Sequence, residues 1–195
     1  MQAALGIKAR TGRAILVAVG TGESTPQCLE RLELKLLPAG AFAPYHAAEG
    51  LPLEEAEIAL QRAIAAAQNL AHSSIMNVVQ RLQSAGHTVQ RCGVLEGRGM
   101  PGWSTADILA AHVRMHKAEG ELFRRVVADG VRACKLEVMS LSSDTPVDDA
   151  ARSLELTRSK LNTVIVALGK QVGPPWGQHQ KEAAAAALAA LRTRL

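Results

Sequence analysis

Aromatic side chains are nearly missing from this chain, which has two Trp, two Phe and one Tyr among 195 residues. The core must then be built from aliphatic and small side chains. Stacking on aromatic platforms is excluded as the main means of holding single-stranded nucleic acid. Cysteine is scarce as well. Cys28, Cys92 and Cys134 are odd in number, unrelated in spacing and include no CxxC pair. Neither a disulfide framework nor a cysteine zinc site is indicated, and reduced core residues are expected. No strong charge of one sign is present, with 22 basic against 18 acidic groups and a net charge of +4. Such a balance permits nucleic-acid binding without demanding it. No apolar run reaches the roughly 20 residues of a bilayer span. The N-terminus shows neither the charged nor the apolar region of a secretory leader. A cytoplasmic protein with no membrane partner is expected.

Alanine and arginine are what the chain has in quantity. Arginine outnumbers lysine fifteen to seven, and its planar fork suits phosphate. A GC-rich genome produces the same bias. Apolar content of 48% and charged content of 21% are globular values. The length fits a single domain over 1–195.

Hydrophobic periodicity organises the chain. Leu5 to Arg10 and Ala14 to Gly20 read as strands joined by the turn Thr11-Gly12-Arg13. The second is apolar throughout, as a strand buried on both faces is. Cys28 to Leu37 alternates Leu32, Leu34 and Leu36 against Glu33 and Lys35, like a strand nearer a sheet edge. A Gly/Pro-rich connection over 39–52 precedes a long helix, Leu53 to Ser84, stopped by Gly86. A strand from Thr88 to Leu95 ends at Glu96-Gly97. A helix capped by Ser104 or Thr105 runs to about Asp129, closed by Gly130, and Ala133 to Leu141 is a further strand. Pro146 opens another helix towards Leu168, although the β-branched run 163–166 could be a strand. Gly173-Pro174-Pro175 breaks the chain before a last helix from Gly177 to Arg192.

That last helix opens on Gly177-Gln178-His179-Gln180-Lys181-Glu182. His179 and Glu182, three residues apart, share one helical face. The helix's positive end favours negative charge there. Much earlier, Glu96 ends a strand. Each residue alone has an ordinary reading: Glu96 a solvated loop acid, Glu182 a first-turn glutamate, His179 a surface histidine, Lys8 a rim lysine.

Taken in order, these segments resemble the RuvC type of Holliday-junction resolvase within the RNase H-like superfamily. Gly6-Ile7-Lys8-Ala9-Arg10-Thr11-Gly12 is similar to that family's first-strand motif of glycine, isoleucine and aspartate followed by a small turn. Val94-Leu95-Glu96 resembles the strand ending in a catalytic glutamate. Ala118-Glu119-Gly120-Glu121-Leu122 resembles the following helix with its glycine. His179-Gln180-Lys181-Glu182-Ala183 resembles the last-helix motif, where histidine or aspartate precedes an aspartate by three. The resemblance implies an α/β, RNase H-like fold: a mixed five-stranded sheet, three antiparallel strands followed by alternating helices and strands, flanked by helices. It implies magnesium or manganese held by Glu96 and Glu182, with His179 as ligand or proton-transfer group, in DNA recombination or repair. It also implies a homodimer acting on structured DNA. Arg10, Arg13 and Arg98 would surround such a site as phosphate contacts.

Two positions depart from the family's pattern. Glu182 replaces an aspartate, a change of reach. Lys8 replaces the first-strand aspartate that bridges the metals, and an ammonium there repels divalent cations and can pair with Glu96 or Glu182. The leading expectation is a RuvC-like nucleic-acid-binding protein with weak or absent nuclease activity. Two alternatives stay open. One is an active metal-dependent endonuclease using Glu96, His179 and Glu182. The other is a non-catalytic protein-interaction module on the same fold. An active enzyme would need Mg or Mn; the other readings need no cofactor.

His112, His116 and Glu119 fall at i, i+4 and i+7 of one helix, beside Ile108, Met115, Leu122 and Val126. An imidazole pair at that spacing can hold zinc with a carboxylate as third ligand. It is not HExxH, and hydrogen-bonded groups in an interface are the competing reading. Trp103 and Trp176 lie in Gly/Pro-rich loops, where they would anchor the loop or cover the site.

Overall fold

The structure, a computed structural model, describes residues 1–22 and 25–192. Arg194, expected from the sequence to be a solvated charge near the end of the last helix, lies outside them. Five strands form one mixed sheet: β1 (Gln2–Arg10), β2 (Arg13–Gly20), β3 (Gln27–Lys35), β4 (Thr88–Glu96) and β5 (Glu137–Ser142), in the order β3-β2-β1-β4-β5. The first three are antiparallel neighbours, and β4 and β5 add in parallel to β1. This is the RNase H-like arrangement expected from the order of elements. Gly12, at φ +72, closes the β1–β2 hairpin, and its carbonyl accepts the Leu36 amide at 2.9 Å.

Strand alternation sorts the sheet into two faces. Leu5, Ile7, Leu16, Cys92 and Val94 face α2 (Leu53–Ser84) and α4 (His112–Ala133). Ile15, Val17, Val19, Leu95 and Leu141 face α5 (Pro146–Ser153), α6 (Arg158–Val172) and α7 (Gln178–Leu191). Two short helices complete the fold, α1 (Pro44–Ala47) and α3 (Thr105–Leu109). Among the described residues no helix is long and apolar enough to cross a membrane.

Helix α7 explains the alanine content. Every residue from Glu182 to Ala190 is buried, so this helix is enclosed between sheet and helices. Small side chains let it lie directly on the strands. A Cβ added at Gly6 would sit 1.9 Å from the Ala183 carbonyl oxygen, and one at Gly93 would sit 2.2 Å from that of Ala186. Glycine is needed there for close approach.

Several sequence-based expectations require correction. The helix beginning at Ser104 is two helices, α3 and α4, interrupted at Ala110 and Ala111. Ser104 caps the first, its hydroxyl accepting the Asp107 amide at 3.1 Å. Gly130 does not close α4. It lies inside the helix, where a Cβ would meet Ala71 and Ile75 of α2 at 3.2 Å, so it serves helix–helix contact. The run 163–166 is helical within α6, since Leu161, Ile165 and Leu168 bury one face and tertiary packing overrides β propensity. The helix begun at Pro146 ends at Ser153, before Glu155 turns to φ +55, and Thr157 caps α6.

Candidate functional site

The sheet face that carries Gly6 leads along β1 to Lys8 and then Arg10. Helix α7 runs back over the same face. Ala183 lies above Gly6, Glu182 beside Lys8, and His179 beside Arg10. The helix touches bare backbone along its buried part and meets cations where it begins.

Lys8 Nζ lies 3.1 Å from Glu182 Oε2, with 18% and 12% of the two side chains exposed. The contact is an ion pair rather than an aligned hydrogen bond, because Oε2 accepts none from the protein. The other oxygen, Oε1, accepts the Gln178 side-chain amide at 2.9 Å. Glu182 is the fifth residue of α7, beyond the first turn, so the dipole that favours a first-turn acid does not account for it. Lys8 and Gln178 do. The helix start is tied by the Gly177 amide donating to Gln180 Oε1 at 3.1 Å.

Arg10 donates to His179 Nε2. An arginine can only donate, so this nitrogen is the acceptor and the proton of the neutral ring belongs on Nδ1. Nδ1 lies 3.9 Å from Glu182 Oε2. Burial lowers the His179 pKa below its ordinary value, and the Arg10 cation lowers it further, against the pull of Glu182. His179 is therefore neutral near pH 7, with its acceptor nitrogen occupied.

Glu96 is placed elsewhere. It follows Cys92 and Val94 on the strand face that packs towards α2 and α4. There it lines a cavity of about 250 Å³ with Glu121, Arg124, Arg125 and Arg132. Among the described residues no ion pair joins it to Lys8. The structure thus brings together Lys8, Arg10, His179 and Glu182, and sets Glu96 apart from them. Arg98 is also apart, paired with Asp144 at 2.8 Å and 88% exposed.

Around the β1–β2 turn lies an open concavity of about 710 Å³. Arg10, Arg13, Lys35 and Arg124 line it, with Glu33 the one acid among the described residues. Arg13 reaches Glu33 at 3.4 Å and Arg124 reaches Glu121 at 3.0 Å. Arg10 and Lys35 have no carboxylate partner among the described residues. Phe42 stands at the rim, 80% exposed. The sequence reading missed Lys35, Arg124 and Phe42 here, and no local motif marks them, because the concavity is assembled from separate segments.

The tryptophans anchor loops. Trp176 donates from Nε1 to the Ile165 carbonyl at 3.1 Å and lies against Gly169. Trp103 packs beside Ile108, Met115 and Ala118, under Arg114 and Lys117. All three cysteines are free. Burial raises the Cys28 thiol to about 11, and raises Cys92 and Cys134 as well.

No family model matches the chain, and no curated protein matches it in sequence. Solved structures do. RuvC of Thermus thermophilus in complex with a Holliday junction substrate superposes with a TM-score of 0.52 and 12% identity, covering 97% of this chain and 92% of that one. A second Thermus thermophilus RuvC structure gives 0.53 and 13%, covering 96% and 91%. At this identity the likeness establishes the fold: a RuvC-type, RNase H-like sheet and helix arrangement along nearly the whole chain.

Proposed function

We propose that this protein binds structured DNA on a RuvC-like scaffold, as a homodimer, and that its ancestral metal position is filled by a lysine ammonium rather than by divalent ions. The observation that carries the reading is the Lys8–Glu182 pair at 3.1 Å, on the strand position and helix turn where the sequence motifs align with the resolvase pattern. Magnesium and manganese need several hard oxygen ligands, mostly carboxylate. Here one carboxylate is available, already matched to Lys8 and Gln178. His179 is neutral and engaged by Arg10, and Glu96 belongs to the opposite face. This donor set does not suit a two-metal clamp, so no hydrolytic step is derived through it.

Binding is supported by the basic concavity beside the pair. Arg10 and Lys35 are uncompensated, and the start of α7 adds partial positive charge. Phosphate contacts of this kind release counterions and make affinity depend on salt. Arg10→Ala and Lys35→Ala are each expected to weaken junction binding and to flatten the log–log salt dependence by about one contact's worth, a slope change near 0.9. Arg158→Ala, which removes a cation paired with Asp148 at 2.8 Å on α6, is expected to leave both unchanged. Fluorescence anisotropy on a labelled four-way junction over a salt series checks this. Equal effects from Arg158 and Arg10 would sink the assignment of the surface.

A further inference from the structure

Among the described residues two carboxylates are deeply buried, Glu182 and Glu119. Glu182 has a lysine. Glu119, only 1% exposed, has no lysine or arginine partner among the described residues. Its Oε1 instead accepts two hydrogen bonds from one residue, His46: Nδ1 at 2.8 Å and the backbone amide at 3.3 Å. A buried carboxylate calls for a compensating charge, and the His46 imidazole is the group through which one can reach it.

His46 belongs to a cluster. It stands on α1, inside the connection between β3 and α2. His112 and His116 stand one turn apart on α4. The three rings lie 4.5 to 4.9 Å apart between centroids. Their ligand nitrogens all fall within 4.8 Å of one another, and the Nε2 atoms of His112 and His116 are 3.0 Å apart. Zinc-to-nitrogen distances of about 2.0–2.1 Å in a tetrahedron set the nitrogens roughly 3.3 Å apart. The His112–His116 separation already lies near that value. The Nδ1 of His46 is engaged by Glu119, which leaves Nε2 as its ligand atom. A carboxylate holding the far nitrogen of a ligating histidine fixes its tautomer and raises its basicity.

We propose that His46, His112 and His116 form a three-imidazole site for a zinc-class divalent ion, oriented by the buried carboxylate of Glu119. Imidazole nitrogens select zinc, cobalt, nickel or copper over magnesium, so this centre is chemically distinct from the oxygen-ligand site of a nuclease. His112 and His116 are exposed, which leaves the fourth position open to water or an anionic oxygen. His112 opens α4, where the helix dipole disfavours a cation; the Glu119 charge offsets this. The ion would fasten α1 to α4, and it requires nothing of the DNA-binding reading.

The test is titration of metal-stripped protein with Zn²⁺ by calorimetry and with Co²⁺ by its visible ligand-field absorption. One equivalent should bind, with a cobalt band of four- or five-coordinate intensity. His116→Ala, an exposed change that leaves the fold intact by circular dichroism, and His46→Ala should each lower affinity about 100-fold or more, and Glu119→Gln about 10-fold. His72→Ala, an exposed histidine away from the cluster, should change nothing. Binding well below one equivalent, or affinity unaffected by His46→Ala and His116→Ala, would overturn the site as scattered surface-histidine binding.

Discussion

Replacing Gly6 by alanine is expected to cost more than about 4 kcal/mol, or to prevent folding altogether. The added methyl group would stand 1.9 Å from the Ala183 carbonyl oxygen and 2.4 Å from the Ala187 amide nitrogen. Both are backbone atoms of an enclosed helix, so no side chain can rotate aside. Helix α7 would have to lift from β1, opening the alanine-lined core between the sheet and α5 and α6. Gly120→Ala is the matched control. Its Cβ would lie 3.6 Å from the Arg124 guanidinium, an ordinary contact. Within a helix that change should stabilise by about 0.5–1 kcal/mol. Urea unfolding of the two variants reads the contrast. Similar midpoints for Gly6→Ala and the unaltered protein would mean that α7 does not rest on the sheet as described.

Lys8→Asp should be nearly as severe, and reversible by metal. The change removes the ammonium from a largely buried carboxylate and sets a second carboxylate against it. Breaking such a pair costs about 3–5 kcal/mol when fully buried; the residual exposure of Lys8 and Glu182 reduces this to about 2–4 kcal/mol. Two facing carboxylates then become oxygen ligands for a hard cation. Millimolar Mn²⁺ should therefore recover much of the lost melting temperature in Lys8→Asp, and little in Lys8→Met. Adding Glu182→Gln to Lys8→Met should recover stability without metal, because no buried charge is left unpaired. A Lys8→Asp protein as stable in chelator as the unaltered chain would contradict the pairing.

The strand order and the limits of the long helix α2 were legible because apolar periodicity carries them. Helix α2 begins at Leu53 and ends at Ser84 as the pattern of Leu60, Ala67, Ala71, Val78 and Leu82 implies. The sequence left Lys8 free to pair with Glu96 or Glu182; the strand register that sets Gly6 under Ala183 turns it to α7 and Glu182. Glu96 shows the limit of motif reading. Its order in the chain matches a site acid, but its parity with Cys92 and Val94 turns it to the α4 face. That parity is in the sequence; the pairing of β4 with β1 that makes it decisive is not. His46 lay beyond reach for another reason. The pair His112 and His116 marks itself by spacing, whereas the third imidazole arrives on a four-residue helix in a Gly/Pro-rich connection read as irregular. Only tertiary structure brings it to Glu119.

The central claim is that Lys8 stands where a metal would, on a scaffold that still holds DNA. It is tested most directly by incubating the purified protein with a labelled four-way junction and a matched duplex, over a salt series with Mn²⁺ present, and reading binding and cleavage from the same samples. The account predicts salt-dependent preference for the junction with both strands left intact. Mn²⁺-dependent cutting that is abolished by Glu96→Gln would contradict it, and so would absence of binding at low salt.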